Sequence, residues 1–165
     1  MLAHTENRAL SAPAFPALAA SMAPQVGVYG ANDEIYAQGE PAAALYQVEY
    51  GAVRVYRLLA DGRRQISAFH FAGEVFGFET GDRHHFFAEA IVPTGLRSFR
   101  RPVDPKFAGE ILPLALEALV HAQEHLLVIG RQNAAERVAA FLVEIMDRQG
   151  GLADIDLPMT RTDIG

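Results

Sequence analysis

Between about residue 27 and residue 107, apolar and polar positions alternate in short runs separated by glycines. Gly30, Gly39, Gly51, Gly62, Gly73 and Gly81 fall at intervals of 9, 12, 11, 11 and 8 residues. Short strands joined by turns at that spacing predict a β-sandwich, roll or barrel. Tyr46, Val48 and Tyr50 alternate with Gln47 and Glu49, the two-residue period of a half-buried strand. The stretch "AVRVYRLLADGRRQISAFHF" predicts a hairpin whose strands run over Val53–Leu59 and Gln65–Phe71. Asp61-Gly62 is the expected two-residue turn, with positive φ at both central positions.

Beyond Pro113 the period lengthens. Leu112, Leu116, Leu119, Gln123, Leu126, Gly130 and Asn133 recur at alternating steps of 4 and 3, a heptad seam that Val120 and Leu127 widen on one side. Such a seam fits a helix lying on its own β domain or a partner helix; its length and strictness favour the partner helix, and a parallel homodimer is the simplest partner. The polar Gln123 within it suits a register-fixing position, and Gly130 would let two backbones approach closely. A second helix follows in "AAERVAAFLVEIMDRQGG", where Val138, Phe141, Leu142 and Ile145 form an i, i+3, i+4, i+7 face and Gly150 supplies a stop. After it, "LPMTRTDIG" places Thr160 and Asp163 at the spacing of a helix N-cap and its third helical residue.

The boundaries follow: a loosely ordered Ala- and Pro-rich leader over 1–26, a β domain over 27–107, a long helix over 108–133 and a tail over 134–165. The leader lacks a basic segment, carries Glu6 and is broken by Pro13 and Pro16, unlike a secretory signal. Half of the 165 residues are apolar and 21% are charged, so a buried core is expected. With 14 basic against 20 acidic residues the net charge is −6, a poor balance for neutralising phosphates. The chain has no cysteine, which excludes disulfides, thiolate metal sites, iron–sulfur ligation and thiol redox sensing within it. No apolar run is long enough to span a bilayer, and a cytoplasmic protein without a membrane partner is expected.

Candidate chemistry concentrates in "FAGEVFGFETGDRHHFFAEA", residues 71–90. A cupin-like metal enzyme would place two histidines two apart on one strand. His84 and His85 are adjacent and would point to opposite faces, which leaves His85 with Glu89 as one same-face pair. Alternatively, Gly73, Gly77 and Gly81 would let backbone amides approach an anion or nucleotide, or another small molecule bound in the β domain. The bland alternative gives the glycines to turns and the aromatics to the core. His121 and His125, four apart on the long helix, lack a third ligand and read as polar flanks of the seam, while His70 reads as a core histidine. No metal site, cofactor, nucleophile elbow, P-loop or dinucleotide fingerprint is expected, and hence no enzyme.

Taken together, the glycine-spaced β region, the long helix, "ERVAAFLVEIMDRQG" and "LPMTRTDIG" resemble the cyclic-AMP receptor / fumarate-nitrate regulator (CRP/FNR) family of transcription regulators. The stretch from "YQVEYGAVRVYRLL" to "HHFFAEA" is similar to the FixK-like branch along its length. The resemblance covers residues 28–165 and implies an α+β fold. Its parts are a double-stranded β-helix, or jelly roll, of the cyclic-nucleotide-binding kind, a dimerisation helix, and the start of a winged helix-turn-helix cut before its recognition helix. It implies a homodimer, and for the full-length parent it implies palindromic operator DNA and RNA polymerase as partners. Thr160, Arg161 and Thr162 would open the DNA-binding domain, where the second helix's apolar face would find its partner. In the roll, Gly73, Gly77, Phe78, Glu79, His84 and His85 mark the ligand pocket. Phe78 stands where the cyclic-nucleotide binders carry a glutamate, and His84-His85 where they carry a phosphate-clamping Arg-Ser pair. Cyclic nucleotide is therefore not an expected partner, and Phe76, Phe78, Phe86 and Phe87 are expected to fill an empty roll.

Overall fold

The computed structural model describes residues 12–130, 133–148 and 157–159. A short helix α1 (Pro16–Ser21) precedes eight strands: β1 (Gln25–Tyr29), β2 (Glu34–Tyr36), β3 (Ala44–Tyr50), β4 (Ala52–Leu58), β5 (Arg64–Phe71), β6 (Val75–Phe76), β7 (Phe87–Ala90) and β8 (Thr94–Arg100). A 3₁₀ turn at Pro105–Phe107 leads into α2 (Ala108–Ile129), and α3 (Ala134–Arg148) follows. No helix among the described residues is long and apolar enough to cross a membrane.

The strands form two antiparallel four-stranded sheets, ordered β1-β8-β3-β6 and β2-β7-β4-β5. Neighbours in each sheet are mostly distant in sequence, so the chain winds back and forth between the sheets as a jelly roll. Of the architectures left open by the strand spacing, this is the roll. Tyr36, Val48, Val53, Val55, Phe76, Ala88 and Leu96 meet between the sheets and make its core.

Several sequence expectations are corrected at the level of local structure. The β4–β5 connection is not a two-residue turn. It runs over residues 59–63, closed by Leu59 N–H to Arg63 O at 2.8 Å and Gly62 N–H to Leu59 O at 2.9 Å. Only Gly62 takes positive φ there (82°), while Asp61 uses its carboxylate to accept the Arg63 N–H at 3.0 Å. On β3, Gln47 and Glu49 are buried rather than solvated. The Gln47 amide accepts from Ala14 N–H and donates to Ala12 O, both at 3.0 Å, and Glu49 pairs with Arg97 of the adjacent β8 at 3.1 Å.

That Gln47 contact also overturns the loosely ordered leader, at least from Ala12 onward. Phe15 and Leu18 are fully buried against Leu45, Val75, Phe99 and Phe107, and the Phe15 ring meets Phe99 edge-on at 5.1 Å. The Glu110 carboxylate caps α1 by accepting from Ala17 N–H at 2.8 Å and Leu18 N–H at 3.2 Å. Residues 1–11 lie outside the described residues.

The helical region also departs from the single run over 108–133. α2 ends at Ile129, Gly130 is a turn residue, and Asn133 caps α3 by accepting from Ala135 N–H at 2.9 Å. Gly130 thus sits at the end of α2, its N–H still donating to Leu126 O at 3.0 Å, and Asn133 belongs to the start of α3. α3 then lies on the outer face of the β4–β5 sheet. Phe141 and Ile145 pack with Ala52, Phe69, Phe71, Ile91 and Met159, so the second helix's apolar face finds its partner on the roll itself.

Candidate functional site

Two features of the fold bear most directly on the sequence candidates: the loop from β6 to β7, and the outer face of α2.

β6 ends at Phe76, and Gly77 turns the chain with φ 91°. A Cβ at Gly77 would meet the Tyr46 ring at 3.0 Å and Ala44 O at 3.2 Å, so glycine permits the tight passage under β3. Gly73 sits one turn earlier, between β5 and β6, and Gly81 lies in open space on the loop. Phe78 leaves the roll and packs on the cluster of Leu45, Phe99 and Phe107, against which Ile111 and Leu114 of α2 also pack. Phe87 stacks on Tyr56 at 5.4 Å, and Phe86 lies under the Arg57 guanidinium. Of the four phenylalanines expected inside the roll, Phe76 belongs to its core and Phe86 packs partly against it, whereas Phe78 and Phe87 have other partners. Tyr36 and Tyr46 supply the remaining aromatic filling.

His84 and His85 occupy a loop rather than a strand, so adjacency does not send them to opposite faces. Both turn toward Glu79. His85 donates its backbone N–H to Glu79 Oε1 at 3.0 Å and holds Oε2 with its ring at 2.6 Å, while His84 Nδ1 lies 3.5 Å from Oε1. The buried His84 ring stacks flat on Tyr36 with centroids 3.6 Å apart. Burial holds its pKa below the usual imidazole value against the opposing pull of Glu79. Arg101, which the sequence reading missed, donates to the backbone carbonyls of Glu79 and Gly81 and fixes the loop from below.

Glu89 does not join His85. It is buried in an ion pair with Arg54, a 3.2 Å contact with Arg64 and a hydrogen bond from the Tyr56 hydroxyl at 3.0 Å. On α2, His125 is not a flank of the seam. It is buried with its ring edge-on to Phe69 at 6.1 Å, and burial lowers its pKa. Among the described residues no group of three His, Asp or Glu side chains is placed to hold a metal ion.

The outward face of α2 is apolar and uncovered. Leu112, Leu116, Leu119 and Leu126 are 59, 52, 52 and 66% exposed, and Gln123 lies exposed among them. Val120 and Leu127 extend the patch at 49 and 73%. A groove of about 510 Å³ between the Phe78 loop and the start of α2 runs into this face at Leu112. Contiguous exposed leucines of this kind mark an interaction surface. Thr160, Arg161 and Thr162 lie outside the described residues.

Comparison with known proteins agrees with this layout. The cyclic nucleotide-binding domain family matches residues 27–102. The nitrogen fixation regulation protein FixK of Rhizobium meliloti is 55% identical over 139 residues, covering 84% of this chain and 66% of the relative. FixK of Azorhizobium caulinodans is 40% identical, covering 83% of this chain and 60% of the relative. The chain thus spans less than two thirds of the length of both. The solved structure of FixK2 from Bradyrhizobium japonicum superposes with a TM-score of 0.78 at 44% identity, covering 87% of this chain and 76% of that one. With the jelly roll, long helix and short helix in the same succession, the chain belongs to the CRP/FNR family, on its FixK-like branch.

Proposed function

We propose that this chain is the sensor-like and dimerisation portion of a cytoplasmic, DNA-binding transcription regulator. It acts as a homodimer, and in the full-length parent it recruits palindromic operator DNA and RNA polymerase. The observation that carries the reading is the uncovered row of four leucines at heptad spacing on α2. Fully burying one exposed leucine contributes about 1.5–3 kcal/mol, so covering Leu112, Leu116, Leu119 and Leu126, which are half to two-thirds exposed, favours pairing with a copy of the same face. Twofold symmetry then sets two DNA-reading units about one helical turn apart on the duplex. The relatives named FixK, regulators of nitrogen fixation by name, support the same assignment.

Cyclic nucleotide is not a ligand in this reading. The roll interior is filled by Tyr36, Tyr46 and Phe76, and His84 stacks on Tyr36 beside the Glu79 loop. Regulation then rests on abundance or on a different effector, and the reading includes no enzymatic step.

Titrating a palindromic duplex with the protein at the full length of its relatives tests this. Two chains are expected per duplex, with affinity falling steeply as salt rises. The Leu116→Glu/Leu119→Glu variant is expected to lose tight binding. One chain per duplex, or a variant that binds like the wild type, contradicts the reading.

A further inference from the structure

α2 carries a proline in its interior. Pro113 has no N–H for the carbonyl one turn back, a loss that weakens or bends a helix, and its ring stays exposed. Its place in the leucine repeat supplies a reason. Leu112, Leu119 and Leu126 hold one seam position of the heptad, and Gly109, Leu116 and Gln123 hold the other. The positions just after the first set are Pro113, Val120 and Leu127, and those just before the second set are Ala108, Ala115 and Ala122. One flank of the seam is thus a ridge of larger apolar side chains, with Val120 49% and Leu127 73% exposed, and the other flank is a row of alanines. Flanking positions of a helix pair are commonly charged, yet neither row holds a charge.

The alanines open into grooves between α2 and the roll. Ala108 and Ala115 line the groove of about 510 Å³, whose other walls include Leu45, Phe78 and the exposed Val103. Ala122 lines a second groove of about 280 Å³, with Ile66 and Phe86 on the roll side. Ridge and grooves lie on opposite flanks of one seam, so a single chain cannot fill one with the other. Two parallel copies can. In a parallel pair each ridge position faces an alanine position of the other helix. In an antiparallel pair ridge meets ridge and alanine meets alanine, which crowds one side and leaves a void on the other.

We propose that the two grooves are sockets for a second copy of this chain running parallel to the first. The partner's Pro113 and the partner's Val120 seat over Ala108 and Ala115, and the partner's Leu127 seats over Ala122. Twofold symmetry makes the fit reciprocal. The interface then reaches past the helix pair to the Phe78 loop and to the roll beside Phe86, and the size match across the seam sets orientation and register. This inference rests on the homodimer reading of α2 and specifies the side chains that direct it.

A size swap, read by sedimentation equilibrium, tests it. Ala115→Val overfills a socket and Val120→Ala shortens the ridge, and each alone is expected to weaken the dimer about tenfold. The Ala115→Val/Val120→Ala chain exchanges ridge for socket and is expected to recover most of that loss. Contact is read independently, because the chain has no cysteine of its own. Ala115→Cys and Val120→Cys chains are mixed, allowed to exchange and treated with a short bismaleimide. A linked two-chain product is expected in the mixture and little of it from either chain alone. A wild-type dimer whose two losses simply add in the double variant, or whose single-cysteine chains link as readily alone as mixed, would overturn the sockets and leave the homodimer standing. A wild-type chain that is only monomeric would overturn both.

Discussion

His70 lies on β5 with its ring stacked on Phe76 and its Nδ1 3.7 Å from Glu74. Burial drives its pKa down to about 4; Glu74 opposes the shift, and Arg148 and His121 reinforce it. Between pH 6.5 and 4 the unfolded chain binds a proton at this position that the folded chain refuses, so stability falls as pH falls through that window. The loss is about 3 kcal/mol over the whole range, and chemical denaturation at stepped pH is expected to show it weakened in His70→Gln. His70 was legible as a core histidine because it alternates with inward neighbours. Glu79, His84 and His85 were legible as a polar group in a glycine-rich loop, but not as a cluster. Strand logic separates adjacent side chains, whereas a loop held by Arg101 turns both rings to one carboxylate. Phe78 misled similarly: hydrophobicity promised a place in the roll, and the turn at Gly77 sent it to the cluster beside α2.

At the scale of elements, α3 is held to the roll by a polar latch as well as by Phe141 and Ile145. Arg148 donates to Glu74 Oε1 from Nε at 3.0 Å, to Phe69 O at 2.6 Å and to Glu144 at 3.2 Å, and its guanidinium lies 4.9 Å from the Phe71 ring centre. Removing one partner of a half-buried pair leaves the other charge poorly solvated. Arg148→Ala is expected to cost about 1–3 kcal/mol and to speed hydrogen exchange over residues 138–148 while sparing β3 and β8. Ile145→Ala is expected to cost about 2–5 kcal/mol by leaving a cavity against Phe69 and Phe71. Unchanged exchange in α3 for either variant would remove the latch. Periodicity located α3 and its apolar face correctly and could not say which surface that face would meet. α1 was invisible for a different reason: its alanines and prolines read as a poor helix, and only the fit of Phe15 and Leu18 against Phe99 and Phe107 orders it.

For the whole molecule, glycine spacing gave a β architecture, and sheet order made it a roll against which α1, α2 and α3 pack. The long helix was the most legible element, since a 4,3 spacing of leucines has few uses other than helix pairing. At its end the spacing runs on through a turn residue, Gly130, and the cap of the next helix, Asn133, which periodicity alone does not distinguish from helix. On α2 the packed monomer leaves a row of exposed leucines, Leu112, Leu116, Leu119 and Leu126, and what covers that row decides whether the chain pairs. Sedimentation equilibrium of the 165-residue chain is the most direct test. A species of twice the chain mass is expected at micromolar concentration, reduced to the monomer by Leu116→Glu/Leu119→Glu with the circular dichroism spectrum unchanged. A wild-type chain that remains monomeric well above that concentration would contradict it.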